Sequence, residues 1–186
     1  MLKIFLLGFF LAPIGDIVHV ATKTTSYPDT YGWYLLGIPW WVFPFFGIAG
    51  PILALSNDFS DRKFFGRKKR LGETTQIFAY LGLSFFLLAY ILTGLLNFNP
   101  FLVHLVLGTL GILFWFFLDK TLAGIILGIS TAIGGTAVEI FLVHNKVFEY
   151  LPPNTALFGV GTWLPWLYFI LSIGLGNFLR YQERVR

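Results

Sequence analysis

Residues 101–143 read FLVHLVLGTLGILFWFFLDKTLAGIILGISTAIGGTAVEIFLV, and this stretch decides the fold. Its only charged residues are Asp119, Lys120 and Glu139, and the first two divide it into two apolar halves. A helix needs about 20 apolar residues to cross the hydrocarbon core of a bilayer. The stretch therefore predicts two membrane-spanning helices, over about 101–118 and 122–143, joined by a minimal polar break.

The rest of the chain repeats this alternation of apolar runs and short polar breaks. Four more spans are predicted, over about 2–20, 34–55, 76–96 and 158–179. Prolines at 39, 44 and 51 should make the second span irregular, and the breaker residues Asn97–Pro100 predict a tight turn. The first span could be a signal peptide, but Pro13 and Asp16 inside it favour a retained helix. The sequence thus predicts an all-α fold, a single six-helix transmembrane bundle over residues 1–186.

Composition supports a membrane protein and excludes several other classes. Hydrophobic residues make up 56% of the 186 residues and charged residues 12%, against about 25% charged in a soluble domain. The absence of cysteine excludes disulfides, zinc–thiolate sites and cysteine nucleophiles. The net charge of +4 is better explained by basic loops that orient helices than by nucleic-acid binding.

The distribution of Lys and Arg predicts the orientation. If the N-terminus lies in the cytoplasm, 11 of the 13 Lys and Arg residues fall on the cytoplasmic side, six of them in the loop Asn57–Thr74. Only Lys23 and Lys146 fall on the other side. Cytoplasmic loops of membrane proteins are enriched in Lys and Arg. Both termini are therefore expected in the cytoplasm.

Polar side chains at bilayer depth are costly and each needs an explanation. Asp16 and His19 lie three residues apart and share one helix face. The pair is interpreted either as a proton relay or as an interfacial ion pair. Glu139 lies about one turn from His144, and is either a buried acid in a cavity or a carboxyl that reaches the interface. His104 is a candidate for a hydrogen bond between helices or for a ligand contact.

Other patterns point to packing rather than chemistry. The carboxylates and imidazoles lack the spacing of a metal site, so no metal or further cofactor is predicted, and no motif of a soluble enzyme occurs. Gly124 and Gly128 form a G-x-x-x-G, which favours close helix packing inside the bundle or at an interface with another chain. Five tryptophans near span ends are interpreted as interfacial aromatics: Trp33, Trp40, Trp41, Trp163 and Trp166.

Five short stretches resemble motifs of the Insig (insulin-induced gene) family in the same order. They are YPD at 27–29 with WWVFP at 40–44 and Gly47, WFFLDK at 115–120, VHNKVFEY at 143–150, WLP at 163–165, and GN at 176–177 with Arg180. The corresponding family stretches read F-P-D with W-W-V-P-P, W-W-x-F-D-R, V-Y-N-G-V-Y-Q-Y, W-L-P and G-N-x-x-R. Ala89–Tyr90 stands where the family has an Asn-His pair, and the extended eukaryotic termini are lacking.

The resemblance implies a six-span, non-enzymatic regulator that senses lipid. Eukaryotic Insig proteins bind oxysterols, retain Scap and promote degradation of HMG-CoA reductase. Asp119 stands at the aspartate that the family needs for Scap binding, which implies a partner-binding role. A short, extension-free chain suggests a prokaryotic member in the cell membrane rather than an endoplasmic reticulum protein, and makes diacylglycerol as plausible a ligand as a sterol.

The sequence therefore predicts a regulatory protein that binds a neutral lipid in a pocket between the helices and acts through a membrane-protein partner or a homo-oligomer. Phe85, His104 and Trp115 are the predicted lipid contacts. Two alternatives remain open at this stage. One is a small proton-coupled transporter that uses Asp16 and Glu139, and the other is an intramembrane lipid-modifying enzyme with Glu139 or His144 as the base.

Overall fold

The structure is a computed structural model that describes residues 1–64, 76–96 and 98–184. The helices are α1 (Leu2–Ala21), α2 (Val42–Phe64), α3 (Gln76–Leu95), α4 (Pro100–Leu118), α5 (Leu122–His144) and α6 (Leu164–Arg184). The strands are β1 (Thr25–Ser26), β2 (Tyr34–Leu35), β3 (Ile38–Pro39) and β4 (Glu149–Tyr150). The predicted all-α bundle of six helices is confirmed.

Helix α6 is the centre of the bundle. It packs against α3, α4, α5 and α2, while α1 packs along α2 and α3. Helices α1 to α5 are long and apolar enough to cross a membrane, but the described part of α6 falls outside that group. The reason is that α6 carries Asn177 and Arg180, which are both buried. Neighbouring helices rather than lipid surround these side chains, so α6 tolerates polarity that an outer helix would not.

Two glycines set the distance between α3 and α6. A Cβ atom on Gly174 would lie 2.7 Å from the carbonyl oxygen of Gly82, and one on Gly82 would lie 2.9 Å from the Cα atom of Gly174. The two backbones therefore touch at this crossing. Small residues allow such close approach in membrane bundles, where close van der Waals packing replaces the hydrophobic effect as the driving force.

The loops at one end of the bundle form a small cap. Residues 22–41 and 145–163 meet there, and β1 pairs with β4 so that Thr25 lies opposite Tyr150. Strands β2 and β3 form a hairpin whose turn residues, Leu36 and Gly37, both have positive φ, as a two-residue type I′ turn requires. We call this end the cap end and the opposite end, which carries both termini, the terminal end.

The cap explains why two predicted spans begin too early. The second was placed at 34–55, but residues 34–39 form the hairpin and α2 runs from Val42 to Phe64. The sixth was placed at 158–179, but α6 begins at Leu164. Phe158 and Gly159 have positive φ and cannot belong to a right-handed helix. Apolar residues of the cap precede both helices, and their hydropathy resembles that of a helix start.

The glycine-rich face of α5 packs inside the bundle. A Cβ atom on Gly128 would meet the Phe169 ring of α6, and one on Gly124 would meet the Asp119 side chain. The G-x-x-x-G thus serves a contact within this chain. Among the tryptophans, Trp33 and Trp40 are exposed as expected for interfacial residues, but the interfacial interpretation of Trp163 is wrong. Trp163 is fully buried and donates from Nε1 to Asn154 Oδ1 at 3.0 Å.

The turn before α4 is confirmed where the structure describes it. Asn99 caps the helix by accepting a hydrogen bond from the Leu102 backbone N–H at 3.0 Å, and Pro100 occupies the first turn. The predicted basic loop Asn57–Thr74 begins too early, because residues 57–64 belong to α2. Asn97, the rest of that loop, including Arg67 and Lys68–Arg70, and the terminal Arg186 lie outside the described residues. The orientation predicted from these charges remains a prediction.

Candidate functional site

The two acidic side chains that the sequence placed at bilayer depth meet in one chamber. Asp16 comes from α1 and Glu139 from α5, and both line a cavity near the cap end with an empty volume of about 400 Å³. The remaining walls come from α2, α3, α6 and the cap, and are largely aromatic: Tyr27, Trp41, Phe45, Phe46, Tyr90, Phe148, Tyr150 and Tyr168. We call this cavity the polar chamber.

Each carboxyl group in the polar chamber accepts hydrogen bonds from two tyrosine hydroxyls. Asp16 accepts from Tyr90 at 2.5 Å and from Tyr27 at 2.9 Å. Glu139 accepts from Tyr150 at 2.5 Å and from Tyr168 at 2.6 Å. A buried polar group without a hydrogen bond is costly, so these four phenols make the burial of two acids tolerable. The sequence pattern does not reveal these four tyrosines as partners of the acids, although the hydroxyl of a tyrosine buried near a span end needs a hydrogen-bond partner.

The two phenols that the cap contributes remain protonated donors at neutral pH. Burial is the main cause that raises the pKa of Tyr27 well above its ordinary value, and the nearby Asp16 carboxyl is the second cause. The pKa of Tyr150 is also raised well above its ordinary value, mainly by burial and secondly by the nearby Glu139 carboxyl. The cap therefore presents hydroxyl donors, not phenolates, to the carboxyl groups beneath it.

His19 lies beside the polar chamber but does not pair with Asp16. Its Nε2 atom is 2.8 Å from Thr93 Oγ1, and Thr93 in turn donates to the Tyr90 carbonyl at 2.6 Å. The ring is fully buried and packs edge-on against Tyr90 and Trp163. The predicted interfacial ion pair between Asp16 and His19 is therefore wrong. His19 instead links α1 to α3 through its hydrogen bond with Thr93.

An apolar cleft adjoins the polar chamber. It lies between α1, α2, α3 and α6 and has an empty volume of about 830 Å³, counting the part that is open to its surroundings. Aliphatic side chains dominate its walls, among them Leu7, Leu11, Leu53, Leu83, Leu87, Leu167, Leu171 and Leu175. Phe46, Tyr90, Glu139 and Tyr168 line both the cleft and the polar chamber. Together the two cavities form a site with an apolar body and a polar end.

The three predicted lipid contacts lie outside this combined site. Phe85 faces α4, where its ring stacks on Phe114 with centroids 4.5 Å apart, while its neighbours Leu83 and Phe86 line the cleft. His104 Nδ1 is 2.8 Å from the Thr162 carbonyl, which ties α4 to the cap. Neither residue lines the apolar cleft, so a lipid contact at Phe85 or His104 would lie outside it.

Trp115, the third, lines a separate and more open groove between α4, α5 and α6. Ile112, Ile129, Ala132, Trp166 and Phe169 form most of its remaining wall, which is entirely apolar. Its indole N–H is already used, because Nε1 donates to the Thr121 carbonyl at 2.9 Å. This groove can accommodate a hydrocarbon tail but offers no polar end. A lipid contact at Trp115 stays a prediction.

The side chain of Asp119, the residue for which the family resemblance implies partner binding, is buried at the terminal end. Its side chain is only 2% exposed, and its Oδ2 atom accepts from Arg180 at 2.9 Å. It also accepts from the backbone N–H and the hydroxyl of Thr121, the residue that caps α5. The Arg180 guanidinium donates further to Asn177 Oδ1 at 3.2 Å. Asp119 thus joins the α4–α5 turn to α6.

The described histidine and acidic residues do not gather into a metal centre. Nowhere among them do three His, Asp or Glu side chains lie close enough together to hold an ion. Asp16 and Glu139 share the polar chamber, but His104 lies at the cap and His144 is exposed at the end of α5.

Comparisons with known proteins agree with this architecture. No protein-family profile matches the chain. It is 27% identical to the insulin-induced gene 2 protein of Gallus gallus over 179 residues, 94% of this chain and 76% of the relative. It is 26% identical to the insulin-induced gene 1 protein of Xenopus laevis over 181 residues, 95% of this chain and 69% of the relative.

Solved structures give a nearer match. A crystal structure of the mycobacterial Insig homolog MvINS from Mycobacterium vanbaalenii superimposes with a TM-score of 0.88 at 30% identity, over 99% of this chain and 94% of the homolog. A cross-linked trimer of the same homolog matches with a TM-score of 0.81, also at 30% identity, over 98% of this chain and 92% of that one.

Proposed function

Because this chain belongs to the Insig family of membrane proteins, we propose that it binds a neutral lipid between its helices and regulates a membrane-protein partner. The lipid is a diacylglycerol or a sterol, and it occupies the apolar cleft with its polar end in the polar chamber. No catalytic step is part of the proposal. Both termini face the cytoplasm, and the protein resides in a prokaryotic cell membrane.

The observation that supports this proposal is the shared wall of the apolar cleft and the polar chamber. Ligand pockets are mostly apolar, with a few polar groups that fix orientation, and the four residues shared by the two cavities give that arrangement. The described lining includes the acidic residues Asp16 and Glu139 and no Lys or Arg. An anionic head group would face two acids without a counter-charge, and such burial is prohibitive. A neutral head group carries no such penalty.

The regulatory part of the proposal rests on the family. Partners resembling Scap or the reductase of eukaryotic relatives would bind at the terminal end, around the α4–α5 turn. Asp119 would contribute there by fixing that turn rather than by direct contact, because its carboxyl group is buried against Arg180. The cross-linked trimer of the mycobacterial homolog favours a homo-oligomer as a second kind of partner.

The test is a binding assay on the purified protein with labelled diacylglycerol, oxysterol and phosphatidylglycerol at low and high salt. We expect a neutral lipid to bind independently of salt. Phosphatidylglycerol should bind only at the surface and be lost at high salt, because each basic residue near a membrane surface contributes about 1 kcal/mol that salt screens. Salt-independent binding of phosphatidylglycerol without binding of either neutral lipid would contradict the proposal.

A matched pair of variants locates the binding. Ala12→Phe places a ring inside the cleft, whereas Ala137→Phe places the same ring on an exposed face of α5. The first should abolish neutral-lipid binding and the second should leave it unchanged. Equal effects of the two variants would mean that the lipid binds elsewhere.

One observation favours a second candidate, a small proton-coupled transporter. The structure brings Asp16 and Glu139 from different helices into one chamber, as proton carriers in transporters often are. Proton flux into liposomes containing the protein would support this candidate if Glu139→Gln abolished the flux. No flux in the wild-type protein would eliminate it.

A further inference from the structure

The polar chamber contains two polar atoms whose bonding capacity is unused. Among the described residues, Thr25 Oγ1 and Trp41 Nε1 are buried and have no hydrogen-bond partner. Both residues line the polar chamber, and Thr25 is only 4% exposed. Buried polar groups in native proteins are nearly always paired. These two atoms therefore mark positions where a ligand is expected to complete the hydrogen bonding.

The unused atoms lie where the fold holds them firmly. Thr25 is in β1, directly opposite Tyr150 in β4, and Tyr150 is one of the two donors to Glu139. Trp41 comes immediately before α2, with its ring edge-on to Tyr27, one of the two donors to Asp16. The unpaired groups and the acids thus belong to one connected wall, which the cap closes.

The chamber offers both donors and acceptors to a ligand. An indole N–H can only donate, and a threonine hydroxyl can donate once and accept. A carboxylate has about four lone-pair sites, and the described tyrosine hydroxyls use two on Asp16 and two on Glu139. The donor and acceptor capacities of the chamber are both used only by a group that accepts from Trp41 and also donates to a carboxyl oxygen or to Thr25.

A free alcohol meets both requirements, and the common alternatives do not. A carbonyl or ether oxygen accepts from Trp41 but has no proton to donate. An ammonium group donates but leaves the Trp41 N–H unpaired. A phosphate accepts but faces Asp16 and Glu139 without a counter-charge in the described lining. The polar chamber therefore discriminates by hydrogen-bond direction as well as by charge.

We propose that the polar chamber is a recognition site for a free, uncharged hydroxyl group of the lipid, with Thr25 and Trp41 as the residues that determine specificity. The proposal rests on the function proposed above and specifies which lipids qualify. Diacylglycerols and sterols with a free hydroxyl bind, whereas their capped ethers, triacylglycerols and phosphatidic acid do not. The bound lipid lies with its hydroxyl at the cap end and its hydrocarbon toward the terminal end.

The experiment compares each alcohol with its own methyl ether on the full-length protein in nanodiscs. Diacylglycerol and its methyl ether form one arm, and a sterol and its methyl ether form the other, so the arms separate the two sources of the hydroxyl. Phosphatidic acid is the anionic competitor. In the arm that binds, we expect the alcohol to bind about tenfold more tightly than the ether, the scale of one or two lost hydrogen bonds. Phosphatidic acid should not compete.

Single substitutions test the part that each of the two residues plays in this recognition. Thr25→Val removes the hydroxyl with little change of shape, and Trp41→Phe removes the N–H. Thr25→Val should reduce the affinity for the alcohol more than for the ether, so that the ratio of the two affinities falls toward one. Trp41→Phe should reduce the affinity for both ligands, because the ether oxygen also accepts from the indole N–H. Thr25→Ser retains a hydroxyl and should retain the ratio. The matched control is Thr136→Val, because Thr136 Oγ1 is also buried and unpartnered within the described residues but lines neither cavity.

The outcomes distinguish the failure of this inference from the failure of the proposed function. Equal wild-type affinity for an alcohol and its ether would overturn hydroxyl recognition and leave neutral-lipid binding intact. Absence of all neutral-lipid binding would overturn both. A ratio of affinities that Thr25→Val leaves as high as Thr136→Val does, or affinities that Trp41→Phe leaves unchanged, would overturn the assignment to these residues. The wild-type comparison is decisive even if one variant does not fold.

Discussion

At the scale of single residues, three acidic side chains have two different kinds of hydrogen-bond partner. Asp16 and Glu139 are each held by two tyrosine hydroxyls and no described cation. Asp119 is instead paired with the buried guanidinium of Arg180. A carboxyl group bonded only to neutral donors can gain or lose a proton or a ligand without stranding an opposite charge. A buried ion pair cannot lose one member so easily. This contrast supports the ligand recognition proposed for the polar chamber and a structural role for Asp119.

The first prediction concerns the Asp119–Arg180 pair. Asp119→Ala should lower the free energy of unfolding by about 3–5 kcal/mol, because it removes one member of a buried ion pair. Replacing both residues, with Asp119→Ala and Arg180→Met, should recover much of this loss. The measurement is the thermal unfolding midpoint of the purified protein in detergent.

The control is the ion pair between Asp58 and Arg62, in which the arginine side chain is 56% exposed. Asp58→Ala should cost less than about 1 kcal/mol, as is typical of solvent-exposed pairs. An Asp119→Ala protein with the stability of Asp58→Ala would contradict the structural role. It would revive Asp119 as a direct contact for a partner.

At the scale of elements, α6 determines how the other helices are arranged. It is the most polar helix and also the most enclosed, since α2, α3, α4 and α5 all contact it. Its Leu167, Leu171 and Leu175 line the apolar cleft, and its Tyr168 holds Glu139 in the polar chamber. The position of α6 against α3 therefore sets the width of the cleft, and the touching backbones at Gly82 and Gly174 fix that position.

The second prediction tests this crossing. Gly174→Ala places a methyl group 2.7 Å from the Gly82 carbonyl oxygen, so α3 and α6 must move apart. We expect a loss of about 1–3 kcal/mol of stability, the usual range for overpacking. We also expect altered neutral-lipid affinity, because the cleft lies between the same helices. The unfolding midpoint and the binding assay provide the two readouts.

Gly134 on α5 is the matched control, since a Cβ atom there would meet no other atom within 4 Å. Gly134→Ala should be neutral or stabilising by up to about 1 kcal/mol, because alanine is the better helix former. If Gly174→Ala proves as harmless as Gly134→Ala, the close crossing does not set the spacing of the helices.

At the scale of the whole molecule, the two ends of the bundle have different tasks. The cap end closes the polar chamber with short strands and buried aromatic side chains. The terminal end carries both termini and the buried Asp119–Arg180 pair. Under the positive-inside rule the terminal end faces the cytoplasm, so the lipid hydroxyl would lie toward the outer leaflet and any partner surface toward the cytoplasm.

The third prediction tests this orientation. The natural chain has no cysteine, so a single introduced cysteine gives an unambiguous signal. Cysteine at Asp29, which is exposed in the cap, should react with an impermeant thiol reagent in intact cells. Cysteine at Lys68, in the basic loop, should react only after the cells are opened. The reverse pattern would show that the orientation inferred from the Lys and Arg residues is wrong.

The sequence by itself determined the class, the number of helices and the family. Hydropathy and span length are properties of a chain in one dimension, and the bilayer imposes them on each helix separately. For this reason 101–118 and 122–143 matched α4 and α5 closely. Where apolar residues belong to a cap instead, as at 34–39, the same signal placed the helix start too early.

Only the tertiary structure decided which polar side chains meet. Asp16 bonds to Tyr90, 74 residues away, and Asp119 to Arg180, 61 residues away. Such pairs depend on the rotation and crossing of packed helices, which a long apolar segment does not encode in its own pattern. The same reason explains why Phe85 and His104, chosen from sequence, lie outside the cleft, whereas Thr25 and Trp41 line the polar chamber.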